Sequence, residues 1–193
     1  YHIKLKKVSN LKNAANQFVT TLSATATIFS VIDFDTQIVN NLPFTSNIAN
    51  IQSAINAISS GGSTNWHAAL TQAHLNILSG ADPNLINLTI IITDGDPTTY
   101  GYPTSFGSVG GTEPDAPDIN NAIIAADILK QNGTRILAVG VSSSPTIANL
   151  INISGPNVDT GDLTTDVITA DFSGLAAELA DFADDLCCGT DTD

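Results

Sequence analysis

Two acidic side chains directly follow the most apolar stretch of the chain. Residues 85–97 read LINLTIIITDGDP, in which six large aliphatic residues precede Asp94 and Asp96. An unalternated β-branched run favours a strand that is buried on both faces of a parallel sheet. Open α/β sheets place their ligands at the carboxyl ends of such strands, which makes Asp94 a candidate functional residue. The alternative is that both carboxylates only shape a glycine turn.

A second polar stretch, residues 61–70, reads GGSTNWHAAL. Its two glycines allow a tight backbone. Ser63, Thr64 and Asn65 can each cap a new helix, whose buried face would begin with Trp66. The long segment 97–118 after the acidic turn is rich in Gly, Pro, Thr and Asp and has no periodicity. A loop of this length in a compact domain is usually functional or mobile.

The hydrophobic pattern predicts alternating helices and strands that position these stretches. Apolar residues at spacings of three and four predict helices, and short β-branched runs predict strands. The order predicts an α/β fold with a doubly wound, mostly parallel sheet, one antiparallel edge strand and helices on both faces. The predicted helices are 3–22, 48–58, 66–77, 119–131, 144–153 and 172–186, and the predicted strands are 27–34, 37–42, 87–93, 135–141 and 166–169.

Composition and charge restrict the class of partner. The 193 residues suit one α/β domain with a real core. The net charge is −13, and four of the six basic residues lie within the first twelve positions. Nucleic acid is disfavoured because phosphate contacts need clustered cations, whereas a divalent cation or a basic protein surface fits better. The alternative is an acidic surface that serves solubility. No apolar stretch reaches the roughly 18–20 residues of a membrane span.

Motif searches disfavour an enzyme. The sequence has no Gly-x-Ser-x-Gly elbow, no His-Glu-x-x-His and no Walker-type glycine loop with lysine. The only cysteines are the adjacent pair Cys187 and Cys188, which seldom bond to each other, so partners outside the chain or two free thiols remain open. Few lysines and many Asn, Thr and Ser residues favour an extracellular location. Glycosylation-type triplets, which are frequent by chance, begin at Asn87, Asn132 and Asn152.

Taken in order, several stretches resemble the von Willebrand factor A (VWA) domain family. They are the hairpin after TIFSVIDFDT, GGSTNWHAAL, IIITDGDP, the strand RILAVGV and a closing helix that ends in cysteine. The resemblance runs through residues 3–188. It implies a Rossmann-like VWA fold, with one N-terminally incomplete domain over residues 1–188 and a C-terminal tail at 189–193.

The resemblance also implies a metal-ion-dependent adhesion site. In the family, three loops at the carboxyl end of the sheet hold Mg²⁺ or a similar ion such as Ca²⁺ or Mn²⁺. Thr64 matches the family's threonine position and Asp94 its aspartate position. A hydroxyl and a carboxylate suit a hard cation, and a partner's Asp or Glu can complete its coordination. Ser63 and Asp96 are candidates for supporting these two ligands.

One expected part of the family pattern does not occur in this sequence. The Asp-x-Ser-x-Ser motif that follows the family's central first strand is absent upstream of residue 27. Without that strand, the strands at 27–34 and 87–93 lack a neighbour between them, which leaves backbone groups unpaired. We expect the strand from an upstream segment of the same protein, or else from another chain. Cys187 or Cys188 would then pair with a cysteine that precedes it.

These features predict a non-enzymatic adhesion or protein-interaction module that is secreted or on the cell surface. It would bind a protein ligand through the ion. Exposed aromatic and acidic residues on the 97–118 loop would contact the partner, although a mobile acidic loop is equally consistent. The alternatives are a structural module of an extracellular filament or surface layer, with incidental ion binding, and, less favoured, a regulatory domain of a metal chelatase. The candidate contact residues are Tyr100, Tyr102, Phe106, Glu113 and Asp115.

Overall fold

The computed structural model describes residues 2–104, 107 and 113–188, with side chains described between Val8 and Cys187. In this part of the chain an opening helix is followed by two strands and two helices, and strands and helices alternate from residue 88 onward. None of the described helices is both long and apolar enough to cross a membrane. The elements are α1 (His2–Leu22), β1 (Phe29–Phe34), β2 (Ile38–Thr45), α2 (Ile48–Ala57), α3 (Trp66–Gly80), β3 (Leu88–Thr93), α4 (Ala116–Gln131), β4 (Arg135–Val141), α5 (Ile147–Ile153), β5 (Val167–Ala170) and α6 (Leu175–Cys188).

Strand β4 is the centre of a parallel sheet with the strand order β3-β4-β5. Leu88 pairs with Arg135, and the register continues to Thr93 and Gly140. Residues 136–141 are all buried, because both edges of β4 are paired and both faces are covered by helices. One face packs against α3, α4 and α5, and the other against α1 and α6.

Strands β1 and β2 form an antiparallel pair. Phe29 pairs with Thr45 and Phe34 with Ile38, with two irregularities in the register between them. Helix α2, through Ile51 and Ile55, and the last turn of α1, through Val19, cover one face of this pair. Half of the residues of β2 are exposed and none is buried, as the polar sequence of an edge strand predicts.

The α/β class with helices around a parallel sheet and one antiparallel pair is confirmed, but the predicted single sheet is divided in two. Within the residues that the structure describes, β1 pairs only with β2 and β3 pairs only with β4. A cavity of about 950 Å³ separates the facing edges of β1 and β3. This division agrees with the expectation that these two strands lack a neighbour between them.

Three helices begin three residues from their predicted starts: α4, α5 and α6, the last of which begins at Leu175 rather than Phe172. Helix α4 begins at Ala116 rather than Ile119, because Asp115 and Asp118 form a reciprocal capping box and Pro117 suits the first turn. Helix α5 begins at Ile147 rather than Ser144. The remaining boundaries differ from the predicted ones by a few residues, as is usual for helix and strand ends.

Candidate metal site

The candidate site lies at one end of the cavity between β1 and β3. Three connections meet there: the β1–β2 turn, the loop that leads into α3 and the loop that leaves β3. The side chains at this end that carry oxygen include Asp35, Ser63, Thr64 and Asp94. The sequence analysis selected the last three of these from two separate stretches, and the structure places them along the same cavity.

Asn65 is the residue that holds two of these connections to the start of α3. Its Oδ1 accepts a hydrogen bond of 2.9 Å from the backbone N–H of Ala68, so Asn65 is the N-cap of α3. Its Nδ2 donates to the carbonyl oxygens of Thr36 at 2.9 Å and Gly101 at 3.1 Å. Asn65 is fully buried. The sequence analysis considered it only as one of three possible caps, and its bonds to distant loops had no local signal.

Thr98 joins the α3 loop to the loop after β3. The backbone N–H of Thr98 donates to the carbonyl of Thr64 at 2.9 Å. The backbone N–H of Thr64 donates in return to the Thr98 hydroxyl at 3.1 Å. A third bond runs from the indole N–H of Trp66 to the hydroxyl of Thr93 at 3.2 Å. These bonds fix the backbone on either side of Thr64 and Asp94.

The side-chain oxygens of Thr64 and Asp94 are available for a ligand. Asn65 caps α3, so the Thr64 hydroxyl does not have that role. In the described part of the chain, neither the Thr64 hydroxyl nor the Asp94 carboxylate forms a hydrogen bond or ion pair. Thr64 is half-buried and Asp94 is exposed. The pair therefore offers one hydroxyl and one carboxylate toward the cavity end and solvent.

The two candidate supporting residues lie in different settings. Ser63 lines the cavity, and its backbone N–H donates to the Thr36 hydroxyl at 2.9 Å. The Asp96 carboxylate instead accepts bonds from the backbone N–H and hydroxyl of Thr146, at 3.0 and 2.5 Å, and from Asn149 at 3.0 Å. Asp96 thus caps the start of α5, where Thr146 makes no side-chain cap of its own.

Asp35 is an oxygen-bearing residue at this end of the cavity that the sequence analysis did not select. It follows β1, and its Oδ1 accepts a bond of 3.1 Å from the backbone N–H of Gln37. Its side chain packs on Gly62, where a Cβ would lie 2.8 Å from the Asp35 Cγ. Gly62 also has a φ of +57°, so both the contact and the backbone favour glycine there. Glycine at this position is the sequence signal that could have linked Asp35 to the site.

Several candidate residues of the predicted partner-contact loop form defined contacts within the chain. The Tyr102 hydroxyl donates to Gln72 of α3 at 2.7 Å. Tyr100 forms an antiparallel bridge with Gly107, and its ring lies over that glycine. Asp115 is the N-cap of α4, and Glu113 is exposed. Phe106 lies outside the described residues.

The cysteine pair ends the last helix. Cys187 lines the cavity and is half-buried at the end of α6. The side chain of Cys188 and the tail at 189–193 lie outside the described residues. A disulfide through either cysteine stays a prediction.

Thr64 and Asp94 fit part of a divalent-cation site. Both offer oxygen atoms, which are the ligands of Mg²⁺, Ca²⁺ and Mn²⁺. Among the described residues, no group of three or more His, Cys, Asp or Glu side chains could hold a metal by itself. A cation at Thr64 and Asp94 would therefore take its further ligands from water, from a partner or from a segment beyond these residues.

Burial shifts the pKa of two groups near the site. The pKa of His67 is lowered, because burial disfavours the charged imidazolium. Its Nδ1 accepts a bond of 3.0 Å from the backbone N–H of Gly101, which requires that nitrogen to be unprotonated. The pKa of Asp33 is raised by burial, although a bond from Asn40 opposes the shift.

The fold and the cavity-end loops place the chain in a known family. The model of the von Willebrand factor type A domain matches residues 2–174. The chain therefore belongs to the VWA domain family, as the sequence resemblance indicated. A comparison with curated proteins finds no match.

Several solved structures have the same fold. The vWF domain of the type V pili tip protein Mfa5 from Porphyromonas gingivalis has a TM-score of 0.75 at 14% identity, covering 98% of this chain and 91% of that one. Proximal thread matrix protein 1 (PTMP1) from the mussel byssus has a TM-score of 0.70 at 20% identity, covering 96% of this chain. The chain spans only 44% of PTMP1.

Two solved structures with this fold contain a bound metal ion. PTMP1 has also been solved with a zinc-occupied MIDAS motif. Manganese-loaded TRAP protein from Plasmodium vivax has a TM-score of 0.64 at 16% identity, covering 91% of this chain and 66% of that one. At these identities the likeness shows the fold alone.

Proposed function

We propose that this VWA domain is a non-enzymatic adhesion or protein-interaction module that binds its partner through a divalent cation. The observation that carries the proposal is the placement of Thr64 and Asp94 at the same end of one cavity, with side-chain oxygens that have no partner in the described chain. A hydroxyl and a carboxylate from separate loops hold a hard cation while leaving coordination positions open. An Asp or Glu of a protein ligand would complete the coordination.

The surroundings of the pair support this assignment. The Asn65 and Thr98 hydrogen bonds fix the backbone beside Thr64, which keeps its hydroxyl in place before the ion arrives. The net charge of −13 favours a cation or a basic partner surface. Mg²⁺ is the expected ion, and Ca²⁺, Mn²⁺ or the zinc named for PTMP1 are the alternatives. We propose an extracellular or cell-surface location, in line with the mussel byssus and pilus proteins of the same fold.

Calorimetry on the full-length protein tests the metal site. Asp94→Ala should weaken the binding of Mg²⁺ or Mn²⁺ at least about tenfold, or about 1.4 kcal/mol, because a charged ligand is lost. Asp184→Ala, which removes an equal charge from an exposed position on α6, is the matched control. Equal ion affinity in these two variants would overturn the proposal.

A pair of hydroxyl variants assigns the second ligand. Thr64→Val removes the hydroxyl at nearly constant shape, and it should weaken metal binding severalfold. Ser63→Ala should change it less, because Ser63 is expected only to support the site. The reverse order of effects would assign the hydroxyl ligand to Ser63.

A structural role in an extracellular filament or surface layer is the second candidate. The observation that favours it is the fold shared with a byssus thread matrix protein and a pilus tip protein. EDTA separates the two functions: self-assembly that survives chelation favours the structural role, and partner binding that chelation abolishes favours metal-dependent adhesion.

A further inference from the structure

We propose that a pocket beside the metal site receives a large aliphatic side chain of the protein ligand. The pocket has a volume of about 440 Å³ and is lined by residues of the 140–150 segment and by Thr169; we call it the α5 pocket. The aliphatic residue would lie two or three positions from the Asp or Glu that completes the ion's coordination. This inference rests on the proposed function, because it concerns the same ligand, but its evidence comes from residues that do not hold the ion.

The α5 pocket adjoins the metal site through two connections. Gly140 of β4 lines the pocket and pairs with Thr93 of β3, and Asp94 is the next residue after Thr93. Paired strands lie about 4.8 Å apart, so the pocket begins one strand width from the residue that precedes Asp94. The Asp96 carboxylate also bonds the N–H and hydroxyl of Thr146, which lines the pocket. The loop that carries Asp94 therefore also holds a wall of the α5 pocket.

The floor of the α5 pocket depends on a glycine. A Cβ on Gly140 would lie 2.7 Å from Cδ1 of Leu150 and 3.7 Å from the Cβ of Pro145. Both Leu150 and Pro145 are buried and line the pocket. Glycine at this position therefore lets two apolar side chains pack directly on the end of β4. Together they form an apolar floor.

Ser142 begins the loop that forms one wall of the α5 pocket. Its φ is +76°, a left-handed conformation that residues other than glycine adopt at a cost. Its backbone N–H donates to the carbonyl of Ala170 at 2.8 Å, which holds the turn in place. Backbone strain of this kind is concentrated at functional sites. This observation favours a binding role for the wall that follows β4.

Both threonine hydroxyls of the pocket lining donate to carboxylates of the same chain. Thr146 donates to Asp96 at 2.5 Å, and Thr169 donates to Asp159 at 2.6 Å. These two donors are therefore not available to an occupant. A ligand group that needs many hydrogen bonds would lose its bonds to water and find few partners here. This accounting favours an apolar occupant over a saccharide or a polar side chain.

The charges and exposure of the lining lead to the same conclusion. Among the described residues that line the α5 pocket, none carries a charge. The carboxylates of Asp96 and Asp159 lie behind the threonines and disfavour an anionic occupant. Ile147, at the start of α5, is 48% exposed and also lines the pocket. An aliphatic side chain in the pocket would remove part of this apolar surface from water.

The spacing within an extended ligand matches the position of the pocket. Side chains two residues apart in an extended peptide point to the same face and are about 6.6 Å apart. This separation exceeds one strand width of about 4.8 Å, so a peptide whose carboxylate reaches the ion can place its next side chain over the α5 pocket. A separation of three residues reaches the same pocket if the peptide bends.

Methyl NMR on the full-length protein in Mg²⁺ tests the inference with synthetic peptides. Four peptides place one Leu two or three residues before or after a single Asp, and four counterparts have Ser in place of Leu. At least one Leu peptide should bind about ten- to a hundredfold more tightly than its counterpart and shift the methyl resonances of Ile147 and Leu150. Leu peptides that bind no better than their Ser counterparts, at up to about 10 mM, would overturn the inference.

Two further conditions test the link between the pocket and the metal site. The Leu preference should disappear in EDTA and in peptides that lack Asp. A preference that persists in both would overturn the proposed spacing. Calorimetry without peptide measures ion affinity separately. Failure of the metal site would appear as equal ion affinity in Asp94→Ala and its control, and failure of the pocket as equal Leu and Ser peptides with normal ion binding.

A matched pair of isoleucine variants assigns the preference to the α5 pocket. Ile147→Asn should reduce the difference between the Leu and Ser peptides to within about threefold, while ion affinity stays unchanged. Ile124→Asn is the control, because Ile124 is 56% exposed on α4 and does not line the pocket. Equal peptide discrimination in the two variants would refute the α5 pocket as the binding site. Methyl glucoside that shifts the Ile147 and Leu150 methyl resonances when no peptide does would identify a saccharide ligand and overturn the proposed occupant.

Discussion

The two edges of β3 show what pairing contributes to a buried strand. On the β4 side, residues pair in continuous parallel register, and β4 itself is buried from Ile136 to Val141. On the cavity side, β3 and β1 have almost equally apolar sequences, yet most of their residues are only half-buried. The difference lies in the neighbours and not in the composition. An apolar sequence predicts that a strand lies in the interior of the sheet. Full burial of that strand also requires a paired strand on each of its edges.

The largest expected effect is the difference in stability loss between alanine variants of two paired residues, one in β4 and one in β3. Leu137 of β4 pairs with Ile90 of β3, and both belong to the same apolar cluster. Leu137→Ala should lower the free energy of unfolding by about 2–5 kcal/mol, because Leu137 has no exposed surface. Ile90→Ala in the 193-residue chain should cost only about 1 kcal/mol, because the cavity already leaves its side chain half exposed. Denaturant unfolding measures both.

A smaller effect compares two asparagine caps. Asn47 caps α2 through a 3.2 Å bond from the N–H of Asn50 on an exposed surface. Asn65 caps α3 and also bonds two loop carbonyls while fully buried. Asn47→Ala should cost about 1 kcal/mol, the usual value of a cap. Asn65→Ala should cost about 2–4 kcal/mol, because the loop carbonyls of Thr36 and Gly101 also lose their donor.

Thermal unfolding of the two alanine variants gives these values, and metal titration adds a second readout. Asn65→Ala should weaken ion binding, because it releases the loop that carries Thr64, whereas Asn47→Ala should leave ion binding unchanged. Equal stability losses in the two variants would mean that the buried bonds of Asn65 add nothing to its role as a cap.

The sequence predicted the elements far better than the contacts between loops. Periodic apolar residues located every helix and strand, and β4 was predicted at its observed ends, because a long β-branched run between Gly133 and the Ser142 turn has few alternatives. The sequence does not predict the start of α4, because Asp115 and Asp118 cap it reciprocally in a short polar stretch that has no apolar periodicity. The sequence predicted a single sheet, and the family resemblance indicated only that β1 and β3 lack a neighbour between them; the observed division into two sheets was not predicted.

The candidate site was predictable only in part. Thr64 and Asp94 were selected because the family pattern marks their positions, whereas Asp35 and Thr98 belong to no such pattern. Their positions depend on distant contacts: Asp35 packs on Gly62, and Thr98 bonds to Thr64, which is 34 positions away. Local sequence carries no signal for such bonds, because the partners meet only after the sheet has formed.

The smallest expected effect concerns His67 of α3, whose Nδ1 accepts a hydrogen bond from the Gly101 N–H in the loop after β3. Its folded pKa is lowered by burial, so the unfolded chain binds a proton more readily than the folded one. Stability should therefore be complete above the ordinary histidine pKa of about 6.5 and should fall as the pH drops below it. The loss should end once the pH is below the folded pKa. His67→Gln keeps an oxygen that can accept the bond from Gly101 but cannot titrate, so the unfolding free energy of this variant should lack the pH-dependent contribution.

Hydrogen exchange then distinguishes the loop that contains Gly101 from the central strand β4. Between pH 7.5 and 5.5 the Gly101 amide should lose protection, corrected for intrinsic rates, while the amides of Leu137 and Val139 in β4 keep theirs. An equal loss of amide protection in β4 would show that the Gly101 loop and the central strand open as one unit.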